Sequence, residues 1–235
     1  MPFVRLTIAM LLAAVLPLAA CGASNGASTS GESASTIVSA SQDSLPAAGD
    51  TALERRADHA RIQGQDDAPL WIVEVSDFQC PYCRSWHEET YSDVVKEFVE
   101  TGKARLAYIN FPIPGHRNAW PAAEAAMCAA AQGHFWPMHD ALFQTQQKWE
   151  SLQDPSTVFD SLATSAGVDM GPYRECTSRH ETRALIQADI DRARESGVNA
   201  TPTFIIGDQS VSGAQPIQVF RQLIDAALNK SGQGS

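Results

Sequence analysis

Two cysteines separated by two residues are the part of this sequence best suited to chemistry. The segment Cys80-Pro81-Tyr82-Cys83 follows an apolar run that ends at Val75, and Pro81 is typical of the first turn of a helix. The free backbone N–H groups at a helix start favour a thiolate on the first sulfur. We therefore predict that Cys80 is an exposed nucleophile and that Cys83, one turn deeper, is the resolving thiol of a redox pair.

The same pair could instead form half of a structural zinc site. Such a site needs four ligands and usually a second close pair of cysteines. Cys128 and Cys176 stand far apart in helix-forming segments, and neither has a neighbouring ligand. The redox interpretation is therefore favoured, and no bound metal or other cofactor is expected.

The elements that must position this pair alternate between strands and helices from about Leu53 to Lys230. The β-branched run at 70–75 predicts a buried strand, and the apolar spacing after Pro81 predicts a helix that ends by Gly102. Asn118 is a plausible N-cap of the next helix. Strands are further predicted at 105–111, 203–206 and 210–212, and helices at 118–132, 134–147, 156–166, 172–178, 181–196 and 217–228. This order predicts an α/β protein with a small mixed sheet that carries a helical lid.

These motifs together resemble the thioredoxin superfamily and, within it, the DsbA-like thiol-disulfide oxidoreductases that carry a helical insertion. The resemblance covers about 60–230 and rests on four segments: Val73 to Cys83 (VEVSDFQCPYC), Phe111-Pro112, Phe135-Trp136 and Thr201-Pro202-Thr203-Phe204. It implies a thioredoxin-like domain over 53–235 with a helical insertion at about 116–180.

The resemblance also implies a substrate-binding loop at Thr201-Pro202. In the superfamily the corresponding proline is cis and packs beside the two cysteines, where the backbone of the preceding residue pairs with an extended substrate. Without the cysteine motif, Pro202 would be only a proline that starts a strand. Pro81 and Tyr82, between the cysteines, are expected to support the same site.

Glu74 and His87 are candidate partners of the cysteines. Glu74 interrupts an apolar strand, where a buried carboxylate is costly, and the resemblance implies a buried acid that exchanges a proton with Cys83. The alternative is an edge-strand acid that faces water. Helical spacing puts His87 near the face of Cys80 and Cys83, where a protonated ring would favour the thiolate, although a solvated helix residue fits equally well.

Several other side chains permit more than one interpretation. Asp77 suits a loop or a helix cap better than a catalyst, and His116 lies in a loop that could either approach the cysteines or stay exposed. The run around His134 and His139 is interpreted as packing of the insertion. Cys128 and Cys176 are predicted to form a structural disulfide, as second pairs do in some DsbA-like proteins, with a second redox pair as the alternative.

The N-terminus predicts export. Arg5 precedes an apolar run that ends at Ala20 and is too short to span a bilayer comfortably, so residues 1–20 are interpreted as a signal peptide. Leu18-Ala19-Ala20-Cys21 resembles the lipobox of bacterial lipoproteins, in which the cysteine is acylated; an ordinary signal with an incidental cysteine is the alternative. Residues 21–52 are rich in Ser, Gly, Ala and Thr and predict a flexible linker.

The charge balance limits the partners. The chain has 17 Lys and Arg against 27 Asp and Glu, a formal charge of -10, so no nucleic-acid partner is expected. The predicted location is the bacterial envelope, outside the cytoplasm, with the lipid anchor in the membrane. The expected partners are exported proteins with cysteine thiols and, by resemblance, a quinone-linked membrane protein that reoxidises the pair.

The function predicted from these features is that of a DsbA-like oxidase, which introduces disulfides through a mixed disulfide at Cys80. Three alternatives stay open at this point. The first is a reductase or isomerase of the same fold. The second is a copper-handling lipoprotein that uses both cysteines and a histidine, and the third is a binding domain whose cysteines are only structural.

Overall fold

The computed structural model describes residues 51–232. The predicted signal peptide 1–20, Cys21 and nearly all of the predicted linker 21–52 lie outside the described residues. Within 51–232, no helix is both long enough and apolar enough to cross a bilayer.

A five-stranded mixed sheet forms the centre of the fold. The strand order is β1-β3-β2-β4-β5, with β2 parallel to β3 and the other neighbours antiparallel. Because β2 has a neighbour on both sides, its apolar, β-branched sequence is that of a central strand. The strands are β1 Ile62–Gln63, β2 Leu70–Ser76, β3 Ala104–Asn110, β4 Thr203–Ile206 and β5 Gln209–Ser212.

A continuous helical segment connects β2 to β3 and carries the two cysteines at its start. It begins with α2 Pro81–Trp86 and passes through a wide π-type turn His87–Tyr91, α3 Ser92–Val94 and a second π-type turn Val95–Val99. Gly102 follows with a φ of 73°, a left-handed conformation that glycine adopts without strain and that ends the segment as predicted.

The sequence analysis missed the first helix, α1 Ala52–Ala60. Thr51 caps it through a reciprocal arrangement with Glu54, in which each side chain accepts a hydrogen bond from the other residue's backbone N–H. Regular structure therefore begins before Leu53. The helix leads into buried Arg61, which pairs with fully buried Asp189, and Asp189 also accepts hydrogen bonds from the backbone and side chain of Asn110.

Five helices lie between β3 and the long helix α9, within the predicted insertion. Cys128 of the first and Cys176 of the last form a disulfide with a Cα–Cα distance of 5.8 Å. Asn118 is the N-cap residue but makes no capping bond, because its amide donates instead to carbonyls of residues 149, 150 and 152. The helices are α4 Ala119–Ala130, α5 Phe135–Gln144, α6 Gln146–Trp149, α7 Ser156–Ser165 and α8 Met170–Ser178.

The sheet packs between two apolar layers. One layer joins the insertion and α9 (Arg183–Glu195) to the sheet, and it contains both cysteines of the CPYC motif. The other is formed by the segment after α2 and by α10 (Ile217–Gly232), around Trp86, Phe204 and Phe220. The first turn of α2 is therefore held where the sheet, the insertion and the substrate loop before β4 meet.

Candidate active site

The two cysteines lie at the junction of β2 and α2. Cys80 is the N-cap residue, with φ −71° and ψ 124°, and its N–H donates to the Asp77 carbonyl at 3.0 Å. Cys83 is fully buried, whereas Cys80 is 4% exposed, so Cys80 is far less open to solvent than the sequence predicted. Both are free thiols in this structure. Pro81 and Tyr82 between them are exposed, Tyr82 to 66%.

The surroundings of the two thiols shift their pKa values in opposite directions. The pKa of Cys80 is lowered from 9.0 to about 6. The largest cause is a hydrogen bond donated by the Cys83 thiol, and Thr201 and the backbone N–H groups of Cys83 and Tyr82 contribute. Burial, and the charge that develops on Cys80, raise the pKa of Cys83 well above its usual range. Cys80 is consequently a thiolate at neutral pH while Cys83 holds its proton.

The loop before β4 closes the site on the opposite side. The Thr201-Pro202 peptide bond is cis, and the Thr201 carbonyl oxygen lies 3.5 Å from Cys80 Sγ. The Pro202 carbonyl accepts from the Gly213 N–H at 2.8 Å, which ties this loop to the residue after β5. Sequence reasoning had placed Thr201 and Pro202 beside the cysteines by resemblance, and the structure brings them together there.

Glu74 lies in the centre of the sheet and is fully buried. It pairs with Tyr108 of β3 and with Phe204 of β4, so the alternative of an edge-strand acid facing water is wrong. Burial raises its pKa from 4.5 to about 8, an increase that the nearby Ser76 side chain partly offsets. Glu74 is therefore mostly protonated at neutral pH.

Ser76 and Tyr108 join Glu74 and Cys83 in one buried polar cluster, and sequence reasoning missed both. The Ser76 side chain lowers the pKa of Glu74 and of Cys83, so its hydroxyl lies close to both groups. Neither oxygen of Glu74, nor the hydroxyl of Ser76 or Tyr108, makes a hydrogen bond of normal geometry within the described residues. Glu74, Ser76 and Tyr108 are therefore three buried polar groups whose hydrogen-bonding capacity is unused, next to the buried thiol of Cys83.

Polar side chains fix the loop between β2 and α2. The Asp77 carboxylate accepts from the Gln79 N–H at 2.7 Å and the Ile113 N–H at 2.9 Å, and it lies 2.6 Å from His116 Nδ1. The hydrogen bond with Asp77 raises the pKa of His116, and the nearby Cys80 contributes. The loop thus does bring His116 to the site. Gln146 of the insertion donates to the carbonyls of Phe78 at 2.6 Å and Cys80 at 3.0 Å.

His87 does not take the place expected for it. Its Nε2 lies 3.0 Å from Asp140 Oδ1 of the insertion, and its ring stacks on Tyr91 and Phe143. The groups that lower the pKa of Cys80 do not include it. The expected support of the Cys80 thiolate by His87 is therefore not found among the contacts described, because the bond to Asp140 and the stack on Phe143 hold the ring against α5.

Comparison with known proteins agrees with this arrangement. A family model described as "Thioredoxin" matches residues 56–226, so the chain belongs to the thioredoxin family. A curated relative, "Probable disulfide bond formation protein D" of Bacillus anthracis, is 29% identical over 170 residues, which are 71% of this chain and 77% of that protein. A "Na(+)/H(+) antiporter NhaA 3" of Salinispora tropica is 30% identical over 172 residues, but the match covers only 25% of that protein.

Solved structures share the fold. Wolbachia pipientis alpha-DsbA1 superposes with a TM-score of 0.65 at 20% identity, covering 73% of this chain and 92% of that one. The sheet with its helical insertion is therefore a thioredoxin fold of the DsbA-like kind. Together with the curated relative and the cysteine pair, this fold defines the chain as a DsbA-like thiol-disulfide oxidoreductase.

Proposed function

We propose that this chain is an extracytoplasmic oxidase that introduces disulfides into exported proteins through Cys80 and Cys83. The observation that carries the proposal is the opposite shift of the two thiol pKa values, about 6 for Cys80 and well above 9 for Cys83. A stabilised Cys80 thiolate favours the reduced form of the pair. A pair whose reduced form is favoured gives its disulfide away readily and is an oxidant.

The reaction starts from the Cys80–Cys83 disulfide. A substrate thiolate attacks Cys80 Sγ, a mixed disulfide forms, and Cys83 leaves with the electron pair of the broken S–S bond. A second substrate thiolate then attacks the substrate sulfur of the mixed disulfide and displaces Cys80, which leaves as a thiolate. The substrate is oxidised by two electrons and the cysteine pair is reduced by two.

Glu74 acts on the buried sulfur in this scheme. Since its pKa is about 8, it holds a proton at neutral pH and can give it to Cys83 as that sulfur leaves. Ser76 lies near both groups, which supports transfer through its hydroxyl. In the reverse step the ionised Glu74 would take the proton back. A buried, proton-loaded acid therefore suits the oxidising direction.

The substrate is held by the loop before β4 and by the exposed face between the cysteines. The Thr201 carbonyl, beside Cys80 Sγ, is placed to accept a hydrogen bond from the backbone of an extended peptide. Exposed Tyr82 offers an apolar contact on the same side. Reoxidation of the pair requires a membrane protein with a more oxidising disulfide, linked to quinone.

The proposed location is the outer face of a bacterial membrane. Residues 1–20 would be removed as a signal, acylated Cys21 would anchor the chain, and the segment up to residue 52 would act as a tether. Cells grown with a labelled fatty acid should incorporate the label into the parent and into Cys128→Ala but not into Cys21→Ala. A parent that takes up no label would exclude the lipid anchor.

Trapping with Cys83→Ala tests the function. This variant keeps Cys80 but cannot form the Cys80–Cys83 disulfide, so Cys80 is first loaded as a mixed disulfide with the aromatic thiol of Ellman's reagent. The thiolate of an exported protein then attacks Cys80 Sγ and displaces that thiolate, and the new mixed disulfide should accumulate because no Cys83 is present to release it. The double variant Cys80→Ala, Cys83→Ala is the control and should trap nothing. If Cys83→Ala traps only already oxidised proteins, the chain is a reductase or isomerase; if it traps none and the parent binds copper stoichiometrically, it is a metal carrier.

A further inference from the structure

A second cluster of reactive side chains lies one turn beyond Cys83, where the active-site helical segment meets α5. Asp140 Oδ1 is 3.0 Å from His87 Nε2 and 2.8 Å from His139 Nδ1. The three donor atoms all lie within 4.8 Å of one another. No step of the thiol chemistry described above passes through this cluster, although the charge of Asp140 adds to the raised pKa of Glu74.

We propose that His87, His139 and Asp140 bind a divalent transition-metal ion of the zinc type, with a fourth position left to water. Two imidazole nitrogens and a carboxylate oxygen are a common three-residue set for such an ion. Metal–ligand bonds of about 2.0–2.2 Å in tetrahedral geometry separate ligand atoms by roughly 3.3 Å. Two of the present separations, 3.0 and 2.8 Å, are close to that value, and the third is no more than 4.8 Å.

The two rings already share one carboxylate oxygen. A carboxylate only accepts hydrogen bonds, so His87 Nε2 and His139 Nδ1 donate to Asp140 Oδ1, and each nitrogen carries a proton there. An ion would take the place of these two protons, so metal binding is coupled to the movement of a proton at each ring.

The surrounding residues hold the ligands and leave one entrance. His139 is enclosed by aromatic rings, including Tyr108, Trp136 and Phe143, which restrict its orientation. The Asp140 side chain is 40% exposed, so an ion can enter from its side. The other ring nitrogens, His87 Nδ1 and His139 Nε2, have no hydrogen-bond partner within the described residues, so each can take the proton that an ion would displace from the nitrogen facing Asp140.

An ion at this point would connect two parts of the fold. His87 belongs to the segment that begins with the CPYC motif, whereas His139 and Asp140 belong to the insertion. Binding to the folded state alone raises the melting temperature as metal is added. This thermal readout is independent of the thiol activity, so it tests the metal site whether or not the proposed oxidase function holds.

The test titrates Zn²⁺ into the full chain carrying Cys21→Ser, with the Cys80–Cys83 pair oxidised so that no thiol competes. Calorimetry should give one equivalent with micromolar affinity, and zinc should raise the melting temperature. Asp140→Asn and His87→Gln should each weaken binding at least tenfold and abolish the thermal shift. His180→Gln is the matched control, because His180 pairs with the single carboxylate of Glu124 at 2.9 Å, and it should change neither reading.

Two results would overturn the site. One is the absence of saturable zinc binding by the parent at millimolar metal. The other is binding of equal affinity in the parent, Asp140→Asn and His87→Gln, which would place the ion elsewhere. Co²⁺ provides the check on ligand type, since a tetrahedral site with nitrogen and oxygen ligands gives visible absorption bands that must be lost in both variants.

Discussion

Cys80 and Cys83 carry the same side chain one helical turn apart, yet their surroundings shift their pKa values in opposite directions. Cys80 receives hydrogen bonds from Cys83 and from the first N–H groups of α2, whereas Cys83 is enclosed by the core. The chemical difference between nucleophile and resolving thiol is thus set at the scale of single residues. The protonation state of each thiol can be measured directly.

Titration of the reduced chain, followed by thiolate ultraviolet absorbance, should show Cys80 ionising at about 6. The pKa of Cys80 in the folded chain lies below its ordinary value of 9.0. The thiolate therefore stabilises the reduced form fully at pH values above about 9, and this stabilisation is lost as the pH falls through about 6. Cys83→Ala should raise the Cys80 pKa, since it removes the largest cause of the shift. A first ionisation near 9 in the parent would contradict this assignment.

Glu74→Gln should slow formation of the mixed disulfide about tenfold or more at neutral pH, because the buried sulfur then leaves without a proton donor. The pH profile of this rate should also lose its inflection near 8. Stopped-flow measurement with a thiol peptide checks both effects. Glu88→Gln, an exposed acid on the same helical segment, is the control and should leave the profile unchanged.

The same variant tests burial separately from catalysis. Folding raises the pKa of Glu74, so between about pH 4.5 and about 8 the unfolded chain loses this proton while the folded chain keeps it. The free energy of unfolding therefore falls progressively as the pH rises through this range. Glu74→Gln should therefore gain unfolding free energy over that range, as measured by denaturant titration. A gain that does not depend on pH would mean that Glu74 is not protonated in the folded protein.

The sequence predicts some of these residues and not others. The cysteines and Glu74 stand out because reactive side chains interrupt a simple apolar pattern. Ser76 follows Glu74 by two residues in β2 and so shares its face, a signal that strand periodicity offers and that the sequence analysis missed. Tyr108 is found only when the register of β2 against β3 is known, since it is remote from Glu74 along the chain. His87 was assigned to the cysteines from helical spacing alone, whereas its partner Asp140 lies on α5 of the insertion, which spacing within one helix cannot reveal.

At the scale of elements, the strands and most helices follow from local patterns. Short β-branched runs and helical spacing predict β2, β4 and the segment after Pro81, because each buries one apolar set. The helix α1 was missed, although the Thr51–Glu54 capping box is a readable signal for it. β1 has only two residues, which is too short for any periodicity, and it forms because β3 offers an edge.

The Cys128–Cys176 disulfide joins the first and last helices of the insertion across a sequence separation of 48. Replacing both cysteines by alanine should lower the free energy of unfolding by about 4 kcal/mol, because the unfolded chain regains the entropy of an open loop. Denaturant titration under oxidising conditions measures this loss. The reduction potential of Cys80–Cys83 should not change; if it does, the second pair exchanges electrons with the first.

At the scale of the whole molecule, the fold brings three separate segments together at one residue, Cys80. The start of α2 supplies the thiolate, the loop before β4 supplies the Thr201 carbonyl, and Gln146 of the insertion holds the Cys80 carbonyl. The insertion therefore helps to hold the reactive loop as well as covering the sheet.

The reduction potential of the Cys80–Cys83 pair, measured by equilibration with glutathione, tests the central claim most directly. The stabilised Cys80 thiolate predicts an oxidising pair, with a potential above about −180 mV and closer to the value of about −120 mV typical of strong oxidants. The reduced chain should then also be more stable to denaturant than the chain with the pair oxidised. A potential of about −270 mV, typical of reductases, would contradict the oxidase function.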